Sequence, residues 1–292
     1  MKEAALILLI RLLALLPLRV ARTLGKVAGQ LSWALQTRMA KTTLTNLRLC
    51  FPEKPEAESE ALARLSLQHT CQTISEAGAV WLWPAAKTMA LITEVEGLGL
   101  LQAIKTRGKG VLVIAPHIGN WEMLGLFLAV CGCGPAYELY QAPRSPALDK
   151  LIFQGRSRTG AHMVNTDNKG VAELLKALRR GEIVGILPDQ VPLESGGEFA
   201  PFFGVSALTM TLLTKLQQKT GAGVLLCYTK RTTEGFHLVI KDAAPGIDSE
   251  SPATALLALN QSVEMAVRDA PEQYQWEYKR FKRQPEGVTP PY

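Results

Sequence analysis

Gly110-Val-Leu-Val-Ile-Ala-Pro116 leads directly into His117-Ile-Gly-Asn-Trp-Glu122. The first part is an apolar run that reads as a buried strand. A histidine at the strand's end, with a carboxylate five positions later, has the form of a general base and the group that orients it. On one continuous helix the two would lie about 140° apart around the axis and would not meet. The spacing makes sense if His117 sits in the strand-to-helix turn, with Gly119 giving backbone freedom, Asn120 as cap and Glu122 in the first helical turn. A carboxylate there can accept from one imidazole nitrogen and leave the other free to take a proton from a hydroxyl. The competing reading is a structural histidine whose ring caps the turn.

Outward from this stretch, short strands and helices alternate from residue 91 onward. Strands are predicted at residues 92–96, 110–115, 135–141, 183–188, 223–229 and 236–240. Helices are predicted at 98–107, 121–130, 146–159, 169–179, 206–220 and 252–270. The alternation predicts an α/β fold with a mixed, mainly parallel central sheet flanked by helices. Residues 1–90 read as helical instead. Residues 19–36 are amphipathic, 55–83 form a longer helical stretch, and Phe51-Pro-Glu-Lys-Pro55 separates the two, because proline disfavours helix in the residue before it. No repeat or low-complexity segment is visible, and the tail, 284–292, is proline-rich.

With 292 residues, 47% hydrophobic and 20% charged, the chain can bury a sizeable core and is not a disordered protein. Its five cysteines, Cys50, Cys71, Cys131, Cys133 and Cys227, are scattered and odd in number. That argues against a disulfide framework and fits a reducing compartment. Cys131-Gly-Cys133 has no second cysteine or histidine cluster beside it, so no metal site is expected. The net charge of +6 is unevenly placed: residues 1–50 hold Lys2, Arg11, Arg19, Arg22, Lys26, Arg38, Lys41 and Arg48 against Glu3 alone. Basic residues interleaved with Leu, Val and Trp fit an anionic membrane surface better than nucleic acid. No zinc-finger, RNA-recognition or homeodomain signature occurs.

Residues 4–18 are apolar except for Arg11, in uninterrupted runs of 4–10 and 12–18. A spanning helix wants about 20 apolar residues. The reading is therefore a helix that dips into, or lies on, the bilayer, with Arg11 snorkelling and Arg19, Arg22 and Lys26 meeting phosphate head groups. One competitor is a cleaved signal peptide, disfavoured by the want of a prompt small-x-small cleavage site. Another is a buried helix of a soluble bundle.

Two further constellations bear on chemistry. Arg144, and Arg156 and Arg158 within Gln154-Gly-Arg-Ser-Arg-Thr-Gly160, carry guanidinium forks suited to phosphates and carboxylates. Arg156 and Arg158 cannot share one helical face, so at most one need point into a site; solvated surface charges are the alternative for each. Gly185-Ile-Leu-Pro-Asp189-Gln190 sets an Asp-Gln pair at the end of a buried strand, where α/β sites usually lie. Phe199-Ala-Pro-Phe-Phe-Gly204, which follows, could line or close an acyl channel, or pack the core. His69, His162 and His237 lack a partner at a recognisable spacing and read as structural or surface residues. No GxSxG, HExxH or Walker loop occurs, which weighs against a serine hydrolase, a zinc protease and a P-loop NTPase.

Taken in order, these residues resemble the late acyltransferases of lipid A biosynthesis, the lauroyl/myristoyl transferase family. The resemblance is carried by Asn46-Leu-Arg-Leu-Cys-Phe-Pro-Glu53, the His117 to Glu122 box, Tyr140-Gln-Ala-Pro-Arg144, Arg156-Ser-Arg-Thr-Gly160, Leu187-Pro-Asp-Gln190, Pro201-Phe-Phe-Gly204 and Pro271-Glu-Gln-Tyr-Gln-Trp-Glu-Tyr-Lys-Arg-Phe-Lys282. It implies a fold like that of the glycerolipid acyltransferases, whose glycine-rich phosphate box is replaced here by residues 187–190. It divides the chain into membrane-associating helices, 1–36, and an acyltransferase domain, 37–292. It also implies an enzyme of the Gram-negative inner membrane, with its site at the cytoplasmic face. Such an enzyme moves a fatty acyl group from acyl carrier protein to a hydroxyl of an acyl chain on the Kdo-bearing lipid A precursor. His117 would be the general base, Glu122 its partner, and Arg144, Arg156, Arg158, Asp189 and Gln190 substrate-binding residues. The thioester is already activated, so no cofactor or metal is expected. Direct transfer is expected over an acyl-enzyme, since no nucleophilic Ser or Cys with a matching base stands out. The rivals are an acyltransferase of the same fold acting on another lipid, such as glycerol phosphate, a glycolipid or an aminolipid, and a non-catalytic lipid-binding protein at the membrane surface.

Overall fold

A computed structural model describes residues 2–292. Its centre is two short, fully buried strands, β2 (Val111–Ile114) and β5 (Ile183–Ile186), paired in parallel with Ile114 opposite Ile186. On β2's other side lies β8 (Gly223–Arg231), followed by β9 (Phe236–Asp242) and the edge strand β1 (Ile92–Glu96). Beyond β5 come β3 (Ala136–Tyr140) and β4 (His162–Asn165). All neighbours are parallel except the β8–β9 hairpin, so the sheet is mixed and mainly parallel, as the alternation of elements predicts.

Successive strand residues face opposite sides, and each side has its own core. Leu112, Ile114, Val184, Ile186 and Leu226 pack with α9 (Asn168–Arg179) and α11 (Pro252–Asp269). Val111, Val113, Ile183 and Leu225 pack with α6 (Leu98–Lys105) and α7 (Glu122–Leu128). Between β3 and β4 runs α8 (Pro146–Ser157), with Ser145 capping its first turn.

Two differences from the sequence reading stand out. Residues 206–220 are not one helix: Val205–Met210 is β7, paired antiparallel with β6 (Gly197–Phe202), and only Leu212–Thr220 is helical, as α10. Phe202 pairs with Val205, so Phe203 and Gly204 form a two-residue turn, and both have positive φ, the geometry that matches strand twist. Strand β4 also escapes sequence reading, because at an edge only Val164 of its four residues is buried.

The N-terminal third is helical: α1 (Lys2–Ala14), α2 (Leu18–Ala34), α3 (Arg38–Cys50), the long α4 (Glu56–Leu82) and the short α5 (Ala85–Met89). Helix α2 lies on α4 through Ala21, Arg22, Gly25 and Gly29; a Cβ at Gly25 would come within 2.7 Å of the Gln72 backbone. The small residues face inward, so the apolar ones, Val20, Leu24, Val27 and Leu31, face outward. Leu8, Leu9, Leu12 and Leu15 of the α1 segment are exposed as well, while Ile10 and Leu13 are buried. Among the described residues, no helix is long and apolar enough to cross a membrane. Arg22, read as a head-group contact, is instead buried against Glu76 of α4 at 2.6 Å.

Candidate active site

The parallel register of β2 and β5 builds the site. His117 follows Ile114 by three residues and Asp189 follows Ile186 by three, so the two emerge side by side at the carboxyl end of the sheet. Asp189 Oδ1 lies 2.8 Å from His117 Nδ1, and Asp189 Oδ2 accepts the His117 backbone N–H at 2.9 Å. The aspartate is 2% exposed and the imidazole 12%, so the carboxylate is sealed beneath a ring that reaches the cleft. Burial alone would raise the Asp189 carboxyl, but His117 outweighs it, through charge and two hydrogen bonds, and holds it below the usual carboxylate range. An ionised Asp189 accepts only, so Nδ1 carries a proton, and in the neutral ring it is Nε2 that keeps the lone pair. The Gln190 amide nitrogen sits 3.3 Å from Nε2 and donates to Gln275 Oε1 at 3.0 Å.

Glu122 is not the partner of His117. It opens α7, as the spacing predicts, but its carboxylate turns toward α8 and α4. There it accepts from Arg156 Nε at 2.7 Å, Arg156 Nη2 at 2.5 Å and Trp81 Nε1 at 3.1 Å. Burial would raise this carboxyl, and Arg156 more than offsets it, so it too stays below its ordinary value. Nor does Asn120 cap α7; its amide donates to Glu76 Oε2 at 2.9 Å, and the N-cap position falls to Trp121.

The strand-to-helix turn is held from several sides. Gly119 has φ +57°, and a Cβ there would collide with the Thr229 carbonyl of β8. Its N–H donates to the Gln273 carbonyl at 2.9 Å, and its carbonyl accepts from the Thr73 hydroxyl at 2.7 Å. The His117 carbonyl accepts from the Gln275 N–H. Asn46 of α3 fixes this C-terminal segment by donating to the carbonyls of Trp276 and Tyr278. Below the turn, Glu76 is fully buried and bonded to Arg22, Arg231 and Asn120. The two arginines overcome the effect of burial and keep Glu76 below the ordinary carboxylate range.

A cleft of about 1060 Å³ opens in front of His117. Trp121, Glu122, Arg156 and Gln190 line it near the imidazole, and Leu124, Leu128, Leu139 and Leu187 supply apolar wall. These are the means to deprotonate a hydroxyl beside an apolar chain. Comparison with known proteins agrees in kind. Residues 3–283 match the family described as bacterial lipid A biosynthesis acyltransferase. The chain belongs to this family. It is 31% identical to the lipid A biosynthesis lauroyltransferase of Escherichia coli (strain K12), over 95% of this chain and 90% of the relative. It is 28% identical to the palmitoleoyltransferase of the same organism, over 94% and 89%, and 26% identical to the myristoyltransferase, over 92% and 82%.

Within this acyltransferase the remaining sequence-predicted residues fall out unevenly. Asp189, Gln190, Glu122 and Arg156 gather around His117 or line the cleft, Asp189 bonded beneath the imidazole rather than facing the cleft. Arg158 points elsewhere: it donates to the Gly155 carbonyl and to Thr88 Oγ1 of α5. Arg144 is exposed and lies outside the cleft lining. Phe202 and Phe203 join Phe51, Tyr274 and Trp276 in an aromatic core, so these two pack rather than line a channel, while Phe199 is exposed and outside the cleft lining. Sequence reasoning missed Trp81, Glu76, Thr73, Gln273 and Gln275. The last two stand in the Pro271 to Lys282 stretch, and nothing local marks the first three.

Proposed function

We propose that this acyltransferase moves a fatty acyl group from an acyl carrier protein thioester to a hydroxyl of an acyl chain on the Kdo-bearing lipid A precursor. The observation that carries the reading is the His117–Asp189 pair at the mouth of a partly apolar cleft. His117 Nε2 takes the hydroxyl proton as the oxygen attacks the thioester carbon; the carbon–sulfur bond breaks, and the leaving thiolate takes the proton back from the imidazolium. Asp189 fixes the tautomer and stabilises the cation that forms between those steps. Direct transfer is the step this arrangement supports: among the described residues no cysteine lines the cleft, and the side-chain partners of His117 are Asp189 and Gln190, neither of them a nucleophilic hydroxyl or thiol.

The outward apolar faces of α1 and α2, with exposed Arg11, Arg19 and Lys26 beside them, support attachment to an anionic bilayer without spanning it. In the proposed setting that surface is the cytoplasmic face of the bacterial inner membrane. The test is transfer from acyl carrier protein thioesters to a panel of lipid acceptors. Turnover on the lipid A precursor, and its near-complete loss in H117A, is the expected result. Wild-type rates in H117A, or turnover only on a different acceptor class, would overturn the reading.

A further inference from the structure

One polar group in the cleft has no part in the chemistry above. Glu138, on β3, lines the part of the cleft enclosed by α7 and the sheet, among Ala115, Leu124, Leu128 and Gly185. Its Oε1 is buried without a hydrogen-bond partner, while the residue as a whole remains part-exposed to the cleft. Glycines make room for it: a Cβ at Gly125 of α7 would collide with its carboxyl, and Gly185 beside it on β5 presents no side chain. Burial pushes the carboxyl up to about 7, Arg156 opposing and Glu122 adding to the rise. A carboxyl with one oxygen desolvated and unpaired, set between apolar side chains and the Glu122–Arg156 pair, is costly, and such an atom in a native protein calls for a partner.

We propose that Glu138 is a specificity-determining residue that hydrogen-bonds a hydroxyl on the fatty chain lying between α7 and the sheet. The inference rests on the acyl-transfer reading and adds a substrate class to it, an oxygenated acyl chain. A plain chain leaves the carboxyl unpaired, whereas a hydroxyl satisfies it, and sites built to bond a hydroxyl discriminate strongly against analogues lacking one. Register places the oxygen. Glu138 is opposite Gly185, which is opposite Val113, four residues before His117. At about 3.3 Å per residue and 4.8 Å per strand spacing, roughly 10 Å or more separates the two backbone positions. The hydroxyl therefore belongs in the middle or far part of the chain, not beside the thioester.

The experiment compares kcat/KM for acyl carrier protein thioesters of dodecanoic acid, unsubstituted and with one hydroxyl moved stepwise along the chain. The expected result is that the wild type prefers one mid-chain or distal isomer over the plain chain by ~10-fold or more. E138Q, which still donates and accepts, keeps that preference; E138L reverses it and turns over the plain chain faster than the wild type does. G125A, which crowds the carboxyl without removing it, weakens the same preference and serves if E138L fails to fold. A wild type that favours the plain chain, or an order of isomers unchanged in E138L and G125A, overturns the proposal while leaving acyl transfer intact. No turnover with any thioester, the plain chain included, overturns acyl transfer and this inference together.

Discussion

The imidazole of His117 owes its role to what lies on its far side. A buried carboxylate that accepts from both Nδ1–H and the backbone N–H of one residue locks ring, tautomer and main chain together. D189N should therefore lower kcat by ~100-fold or more, the usual scale of acid–base assistance, with a smaller effect on KM. Glu122 does different work. Removing either member of the Glu122–Arg156 pair leaves a poorly solvated charge, so E122A and R156A should each reduce the unfolding free energy by about 2–4 kcal/mol. The double variant should lose far less than the sum of the two, as a double-mutant cycle by denaturant melt would show. The sequence singles out His117 and both carboxylates but pairs His117 with Glu122, where the structure bonds it to Asp189 and Glu122 to Arg156. Glu122 is near His117 along the chain, whereas Asp189 is near only through strand register, which no local pattern reveals. For Arg144 and Arg158, which lie outside the cleft lining, residue type shows what a guanidinium can bind but not where it points.

At the scale of elements, the strand–turn–helix from β2 to α7 is the working part. Gly119 lets the turn pass against β8, and Thr73, Gln273 and Gln275 clamp it from α4 and the C-terminal segment. G119A should leave the fold cooperative and cut turnover by ~100-fold, the scale on which about 1 Å of misplacement matters; circular dichroism beside a transfer assay separates the two effects. Six strands and most helices were legible because their apolar runs are long enough to show a period. The β6–β7 hairpin was not, because Ser206-Ala-Leu-Thr-Met210 reads equally well as the first turns of a helix until the positive φ of Phe203 and Gly204 is known.

At the scale of the whole molecule, two properties follow from where charge and apolar surface lie. Helix α2 turns its small residues to α4 and leaves its larger apolar ones outside, the face on which the proposed bilayer attachment rests. L24E/L31E should preserve the melting temperature and abolish co-sedimentation with anionic vesicles; retained binding would count against that face. Stability should also depend on pH in two opposed ways. Asp189, Glu122 and Glu76 are held below the unfolded carboxylate range, so what they contribute is complete above about pH 4–5 and is lost as pH falls through their lowered values. Glu138 is raised to about 7, so its contribution is complete below the unfolded value and is lost as pH rises through about 7. E138Q should lessen the loss of melting temperature between about pH 5.5 and 8.5 by about 2–4 °C.

The pairing of His117 with Asp189, rather than with the nearer-in-sequence Glu122, is tested most directly by long-range proton–nitrogen NMR of histidine-labelled protein. With four histidines in the chain, the H117A variant assigns the signal. The expected spectrum of neutral His117 has its proton on Nδ1, unchanged in E122Q and shifted toward the other tautomer in D189N. A tautomer that survives D189N and changes in E122Q would contradict the account.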